Sequence, residues 1–131
     1  MKKGTEMKVY RGERSEKLDR VFQSDPGDLG RGVYYDTHKA RAKSYGDVII
    51  ERQLQFQNPL ELPYAIAYLL AEKFETIRGR DGEALSAEQR LKNAEALTRW
   101  LLEEGYDGLI ARRKNGYAEV VDFRPFKKEE D

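Results

Sequence analysis

The alternation of apolar and polar residues predicts strands near both ends of the chain, with helices between them. Residues 7–13 (MKVYRGE) alternate up to Tyr10, and residues 32–36 (GVYYD) form a second short apolar segment, so both are predicted strands. Residues 47–62 begin with Val-Ile-Ile and then alternate strictly, which predicts one long strand that ends at a turn. Residues 24–32 (SDPGDLGRG) are dense in Gly, Pro and Asp and are predicted to be a loop.

Helical signals occupy the middle of the chain. Asp36 or Thr37 is suited to cap a short helix through Ser44 or Tyr45, and Gly46 follows where a left-handed residue commonly ends a helix. Residues 63–77 open with a proline suited to a first helical turn and continue with helix formers. Both segments are therefore predicted helices.

The clearest helix is predicted over residues 86–105. Ser86 and Gln89 form a capping-box pattern, the apolar residues share one face, and Gly105 ends the helix. Two alternating segments follow, and the Asn-Gly pair at 115–116 predicts a hairpin between them. Because strands gather at both ends around central helices, the sequence predicts an α+β fold with a mostly antiparallel sheet.

Composition narrows the class of protein. The length of 131 residues predicts a single domain, over residues 1–126, followed by a charged tail at 127–131. Lys+Arg and Asp+Glu both number 24, so the net charge of zero does not indicate nucleic acid or an anionic membrane, although a local basic patch stays open. The chain has no cysteine and one histidine, so neither a metal site nor a cysteine nucleophile is expected. No apolar stretch approaches a membrane span, and we expect a soluble, cytoplasmic protein.

The pair Arg11-Gly12 at the end of the first strand is a candidate site. A guanidinium there can bind a phosphate or a carboxylate with its planar fork. A glycine there lets a ligand approach the backbone. The structural alternative is a surface charge on the sheet beside a bulge.

Tyr34 and Tyr45 flank the junction between a predicted strand and a predicted helix. They could form two walls of a slot for a flat ligand, or they could be core aromatics with satisfied hydroxyls. His38 lies on the same helix face as Tyr45, at a spacing of seven residues.

Glu119 lies within an otherwise apolar strand. By alternation it shares a face with Tyr117 and Val121, and a carboxylate on such a face costs free energy unless it has partners. It is therefore a functional candidate, and the alternative is an edge-strand charge that discourages aggregation.

Taken in order, these three places resemble the ADP-ribosyltransferase superfamily. Residues 32–37 (GVYYDT) resemble the G-x-Y-F-x-D motif of the poly(ADP-ribose) polymerase branch, in which a second tyrosine follows eleven positions after the first, as Tyr45 follows Tyr34. Arg11 matches the first-strand arginine of the cholera-toxin-type branch. The segments GYDGLI and VDFRP are similar to those of small bacterial and phage domains of this toxin-like kind. The resemblance implies a split, mostly antiparallel sheet with central and flanking helices.

The resemblance also implies a glycosyl transfer chemistry with NAD⁺ as the consumed substrate and no metal. Gly12 would hold the nicotinamide carboxamide, Tyr34 and Tyr45 would sandwich its ring, and Arg11 would bind the phosphates or a ribose and hold the shape of the site. Glu119 would bind the ribose 2′-hydroxyl and stabilise the positive charge that develops as nicotinamide leaves.

Two positions depart from the family pattern. Ala42 replaces a helix serine that holds the carboxamide in many polymerases. Tyr117 stands where many transferases carry the Gln or Glu that orients the acceptor. On the acceptor side, Tyr117, Arg113 and His38 are the candidates, with His38 as a base or simply a helix-surface residue.

Several functions stay open at this point. The leading hypothesis is a mono-ADP-ribosyltransferase that modifies an unknown protein or nucleic-acid acceptor, with an NAD⁺ glycohydrolase as a variant. The second is a transferase-like domain that has lost catalysis and serves as a binding or accessory module. The third is an unrelated α+β domain that binds RNA or a protein partner through the basic turn at 112–114.

Overall fold

A computed structural model of the protein describes residues 4–13 and 25–130. Within these residues the chain forms a mixed α+β domain, and none of its helices is long and apolar enough to cross a membrane. A short 3-10 helix, Lys43–Tyr45, follows the first α-helix. The remaining elements, in chain order, are β1 (Thr5–Glu13), β2 (Asp25–Gly27), β3 (Gly30–Asp36), α1 (Lys39–Ala42), β4 (Val48–Phe56), β5 (Pro59–Pro63), α2 (Tyr64–Phe74), α3 (Ala87–Glu103), β6 (Gly108–Arg112), β7 (Ala118–Asp122) and α4 (Arg124–Glu130).

The strands form one sheet in the order β4-β1-β3-β7-β6-β5, with β2 paired to β3. All neighbours are antiparallel except β5 and β6, which are parallel. This arrangement confirms the predicted α+β class with a mostly antiparallel sheet.

The sheet narrows between β1 and β3. β1 pairs with β4 along its whole length, from Thr5 opposite Phe56 to Glu13 opposite Val48. Its register with β3 is a single pair in the described residues, Tyr10 opposite Asp36. The two halves of the sheet are therefore joined narrowly, as the family resemblance implies for a split sheet.

The sheet also curls so that β4 approaches β6. β4 and β6 are separated by three strands in the sheet order, yet Gly108 lies so close to Phe56 that an added Cβ would overlap the phenyl ring. Arg124 reaches the same place, where its Nη1 donates to the Gln55 carbonyl oxygen at 2.6 Å. The strand ends of β4 and β6 therefore pack against each other across the fold.

Each face of the sheet has its own apolar core. The cluster on the inner side of the closed sheet comprises Val9, Val33, Tyr35, Leu54, Phe56, Ile110, Ala118 and Val120. Helices α2 and α3 cover the opposite face, where the buried residues are Leu29, Ala67, Leu97, Leu101, Leu109, Ala111, Val121 and Phe123. Alternation along each strand divides the side chains between these two clusters.

The prediction of a loop over residues 24–32 is wrong. Asp25–Gly27 and the start of β3 pair as a hairpin, with Gly27 opposite Gly30. Gly30 has φ +100°, a left-handed conformation that glycine adopts without a steric penalty. The Gly, Pro and Asp residues that signal a loop here build a tight turn between two strands.

The single long strand predicted over residues 47–62 is also wrong. The chain breaks at Gln57 and Asn58, whose backbone N–H groups donate to the carboxylate of Asp107 at 2.7 and 3.1 Å. Because Asp107 holds both amides, the chain turns and β5 joins the sheet beside β6 as a separate, parallel strand.

The helix predicted after GVYYD begins later than expected, but its helical conformation continues as the 3-10 helix to Tyr45, where the sequence predicted its end. α1 starts after His38, whose backbone N–H donates to the Asp36 carboxylate at 2.8 Å, so neither Asp36 nor Thr37 is the cap residue. Gly46 has φ 176°, which is extended rather than left-handed.

The longer helices follow the sequence prediction more closely. The N-cap of α3 is confirmed, because the Ser86 hydroxyl accepts from the Gln89 N–H at 3.1 Å. α2 begins after Pro63 and ends before Glu75, a residue with left-handed φ 56°. Helix α4, Arg124–Glu130, runs through most of the segment predicted to be a charged tail.

Candidate active site

Glu119 lies on the face of the sheet that α2 and α3 cover. In β7 it stands opposite Asp36 of β3 on one side and Ala111 of β6 on the other. It shares this face with Val121, whereas Ala118 and Val120 point into the other core. Its side chain is only 17% exposed.

Two groups contact the carboxylate of Glu119. The Tyr68 hydroxyl donates to Oε2 at 3.3 Å, and Nη2 of Arg113 lies 4.0 Å from the same oxygen. The Arg113 guanidinium is bound more tightly to Asp36, with 2.9 Å between Nη2 and Oδ2. Glu119, Arg113 and Asp36 therefore form a carboxylate–guanidinium–carboxylate cluster.

A second layer of side chains surrounds this cluster. The ring of Tyr64 lies 4.7 Å from that of Tyr68, and the Arg113 guanidinium lies over the Tyr64 ring at 5.2 Å. Tyr64 and Tyr68 are one helical turn apart on α2, so the helix presents both rings to the cluster.

Burial dominates the electrostatics of Glu119. It raises the pKa of Glu119, because the charged form loses solvation. The hydrogen bond from Tyr68 and the charge of Arg113 lower that pKa, and the negative charges of Asp36 and Asp28 raise it. The net direction is upward, so Glu119 binds a proton more readily than an exposed glutamate does.

Tyr34 lies on the same sheet face as Glu119, opposite Val121. Its hydroxyl accepts from the Leu29 N–H at 2.9 Å and donates to the Gly30 carbonyl oxygen at 2.6 Å. Burial raises the pKa of Tyr34 well above its ordinary value. The structure therefore places Tyr34 near Glu119 with its hydroxyl satisfied by the β2–β3 turn.

Tyr45 is in a different environment. It ends the 3-10 helix after α1 and is 65% exposed. Among the described residues its ring forms no stacked pair with Tyr34. Tyr45 therefore lies at the surface, whereas the hydroxyl of Tyr34 is held by the β2–β3 turn.

Arg11 and Gly12 lie where β1 separates from β3. Nη1 of Arg11 donates to the Tyr34 carbonyl oxygen at 2.9 Å, and the guanidinium pairs with Glu13. By alternation the Arg11 side chain lies on the face of Val9, opposite the face of Glu119. Gly12 packs against α1.

The acceptor-side candidates gather beside Glu119. His38 and Tyr117 stack at 4.1 Å with an angle of 9° between their rings. Tyr117 lies immediately before β7, two residues from Glu119, and Nη2 of Arg113 lies 4.0 Å from Oε2 of Glu119. The structure thus brings together Glu119, Tyr34, Tyr117, Arg113 and His38.

Comparison with known proteins adds to this geometry. The sequence model of a family described as ADP-ribosyltransferase in polyvalent proteins matches residues 2–127. The chain belongs to this family. No curated protein matches the sequence. A solved structure titled as that of an anti-CRISPR protein is similar at 19% identity and a TM-score of 0.41, with 90% of each chain covered.

Within this ADP-ribosyltransferase domain, the sequence analysis missed three residues of the cluster. Asp36 is predicted as a helix cap and as part of the family motif but not as a partner of Glu119, although alternation puts it on the face of Tyr34. Tyr64 and Tyr68 have the spacing of one helical turn, which would have marked an aromatic face on α2. That this face covers Glu119 depends on the packing of the helix, which periodicity does not reveal. Among the described residues, no group of three or more His, Asp or Glu side chains is placed to hold a metal.

Proposed function

We propose that the protein is a mono-ADP-ribosyltransferase that cleaves NAD⁺ at the nicotinamide–ribose bond and transfers ADP-ribose to a protein or nucleic acid. Family membership supports the class of reaction. The observation that carries the assignment is the partly buried carboxylate of Glu119, which accepts from the Tyr68 hydroxyl and is flanked by Arg113. A carboxylate removed from water interacts strongly with a developing positive charge.

The proposed chemistry follows from that carboxylate. The bond between ribose C1 and the nicotinamide nitrogen breaks, and its electron pair leaves with nicotinamide. The ribose then carries an oxocarbenium-like charge, which Glu119 stabilises in its ionised form while it binds the 2′-hydroxyl. A lone pair of the acceptor forms the new bond to C1, and the acceptor proton goes to solvent.

The remaining roles are part of the same proposal. The backbone of Gly12 binds the nicotinamide carboxamide at the place where β1 leaves β3. Arg11 holds the shape of this gap through its hydrogen bond to the Tyr34 carbonyl oxygen, from the sheet face opposite Glu119. Because Tyr34 is already packed and Tyr45 is exposed, Tyr45 is the wall that moves over the ring when NAD⁺ binds.

The direct test follows nicotinamide release and transfer of label from labelled NAD⁺. We expect Glu119→Gln to lower both rates by about 10²- to 10³-fold, the usual cost of removing a preorganised electrostatic group. The matched control is Glu95→Gln, which neutralises another partly buried, arginine-paired glutamate on α3. Equal rates for wild type and Glu119→Gln would contradict the proposal. Nicotinamide release without labelled macromolecule would identify water as the acceptor.

A second candidate function is an NAD⁺-binding or accessory module without turnover. It is favoured by Ala42 and Tyr117, which stand where many members of the superfamily carry the serine that holds the carboxamide and the Gln or Glu that orients the acceptor. Calorimetric titration with NAD⁺ distinguishes the two. Binding that Tyr34→Ala and Tyr45→Ala weaken, together with no nicotinamide release from the wild-type protein, would favour the module.

A further inference from the structure

Two basic segments that are far apart in the sequence meet beside Glu119. One is residues 38–43 (HKARAK), which include α1, and the other is residues 112–114 (RRK), where β6 ends. The Asp36 carboxylate joins them, because its Oδ2 lies 3.8 Å from Nε of Arg41 and 2.9 Å from Nη2 of Arg113. The fold therefore combines two charged segments that the sequence alone leaves separate.

Backbone contacts fix this juxtaposition. The Thr37 N–H donates to the Ala118 carbonyl oxygen at 3.0 Å, and the Ala118 N–H donates to the Thr37 hydroxyl at 2.8 Å. These bonds tie the residues just before α1 to the start of β7. The relative position of the two basic segments is thus part of the folded sheet.

The outer part of this region carries exposed positive charge. Lys39, Lys43 and Lys114 are exposed, and none of them takes part in the ion pairs of the described residues, although Lys39 lies 6.0 Å from the Tyr10 ring. Neither residues 37–46 nor residues 112–117 contain an acidic residue. The net charge of the chain is zero, so this is a local concentration of cations.

Aromatic rings lie among these cations. Tyr117 is 40% exposed and stacks on His38, and Tyr45 is 65% exposed, two residues after Lys43. Exposed aromatic faces alternating with lysines are the combination that binds unpaired bases and the phosphates between them.

We infer that this surface binds single-stranded nucleic acid. We call it the basic–aromatic surface and define it by Lys39, Lys43, Lys114, His38, Tyr45 and Tyr117. A duplex keeps its bases stacked internally, and an acidic peptide would pair with the lysines but leave the rings unused.

The second part of the inference rests on the proposed function: the bound strand is the ADP-ribose acceptor. Tyr117 lies immediately before β7 and precedes Glu119 by two residues, a separation of at most about 7 Å. A base or sugar stacked there lies close to the reacting carbon. An oxygen or nitrogen of the strand supplies the electron pair for the new bond to ribose C1. Nicotinamide leaves with the electron pair of the bond between ribose C1 and its nitrogen. The attacking atom of the strand loses its proton to solvent.

The binding test uses fluorescence anisotropy with labelled single-stranded DNA and RNA, without NAD⁺. We expect a salt dependence with a slope of about −2 in log K against log salt, from three phosphate contacts. The triple variant Lys39→Glu, Lys43→Glu, Lys114→Glu should lose at least about tenfold in affinity. Its matched control makes the same changes at Lys73, Lys92 and Lys127, which are exposed on other helices, and should bind normally.

The aromatic contribution is tested separately. Tyr117→Ala should weaken binding about tenfold, whereas Tyr117→Phe, which keeps the ring, should not. No binding by either strand, or equal affinity for the triple variant and its control, would overturn the inference. It would also be overturned if a poly-glutamate peptide competed as well as an unlabelled oligonucleotide.

Adding NAD⁺ to the bound oligonucleotide separates the two proposals. Label on the oligonucleotide supports the acceptor assignment. Nicotinamide release with an unlabelled oligonucleotide overturns that assignment and leaves the transferase proposal standing. Binding without nicotinamide release supports the nucleic-acid surface and argues against the transferase.

Discussion

At the scale of single residues, Glu119 combines burial with a limited set of partners. Tyr68 donates one long hydrogen bond to it, and Arg113 is shared with the better-placed Asp36. These partners do not offset the loss of solvation, since the pKa of Glu119 remains raised. An ionised Glu119 therefore costs the folded state free energy at neutral pH, which is consistent with the role proposed for it in the reaction.

This cost predicts a pH-dependent gain in stability for Glu119→Gln. The folded protein holds a proton on Glu119 more readily than the unfolded chain does, so the cost is present above the folded-state pKa and disappears as the pH falls below the unfolded value. We expect Glu119→Gln to raise the melting temperature at about pH 8 and to leave it nearly unchanged at about pH 4. Thermal unfolding across this range is the measurement.

Asp36→Asn serves as a control, because it should lower the free energy of unfolding whereas Glu119→Gln should raise it. Asp36 accepts the His38 N–H and pairs with both Arg41 and Arg113. Its neutralisation should cost about 1–3 kcal/mol of unfolding free energy at neutral pH. A loss of stability in Glu119→Gln at about pH 8 would contradict the account of Glu119.

At the scale of elements, the packing of α1 on β1 depends on one glycine. An added Cβ at Gly12 would overlap the Ala42 carbonyl oxygen and would lie 3.1 Å from the Gly46 nitrogen. Both atoms belong to backbone, which cannot rotate away as a side chain can. Gly12 is thus required for α1 to lie on the sheet, whatever its role toward a ligand.

We therefore expect Gly12→Ala to cost about 1–3 kcal/mol and to weaken the protection of α1 amides against hydrogen exchange. Urea unfolding and amide exchange measure the two effects. Gly82→Ala is the control, because an added Cβ there meets nothing within 4 Å and the cost comes only from φ +82°. It should lose about 1 kcal/mol and leave α1 unchanged. Full α1 protection in Gly12→Ala would refute this packing argument.

The elements also indicate which features the sequence could reveal. Local signals predicted α3 and its Ser86 cap, and alternation placed Glu119 on the face of Val121. The break between β4 and β5 depends on Asp107, about 50 residues further along the chain, so the local alternation suggested one strand. The approach of Tyr68 to Glu119 depends in the same way on how α2 packs over the sheet. Contacts between distant segments were the part that periodicity could not supply.

At the scale of the whole molecule, the contact between Gly108 and Phe56 closes the sheet. Phe56 is fully buried, and its ring also lies 4.8 Å from the guanidinium of Arg124. The ring therefore packs β4 against β6 and lies beneath the first residue of α4. Loss of the Phe56 ring therefore affects β4, at one end of the sheet order, and β6, which is next to the other end.

Because Phe56 and Gly108 are in contact where the sheet closes, the stability effects of substitutions at the two residues should be coupled. Phe56→Ala should cost about 3–5 kcal/mol and Gly108→Ala about 1–3 kcal/mol in urea unfolding. In the double variant the added methyl group occupies space that the ring has left, so the total cost should be smaller than the sum. Strictly additive costs would mean that the two residues do not contact each other.

The sharing of Asp36 by two arginines has one more consequence. The Asp36 carboxylate pairs with Arg41, on the outer surface, and with Arg113, beside the partly buried carboxylate of Glu119. A ligand that draws Arg41 away from Asp36 strengthens the ion pair between Asp36 and Arg113. The positive charge of Arg113 is then less available to Glu119. Binding of a ligand at the outer surface near Arg41 thus changes the charge around Glu119 through the side chain of Asp36, without any displacement of a strand.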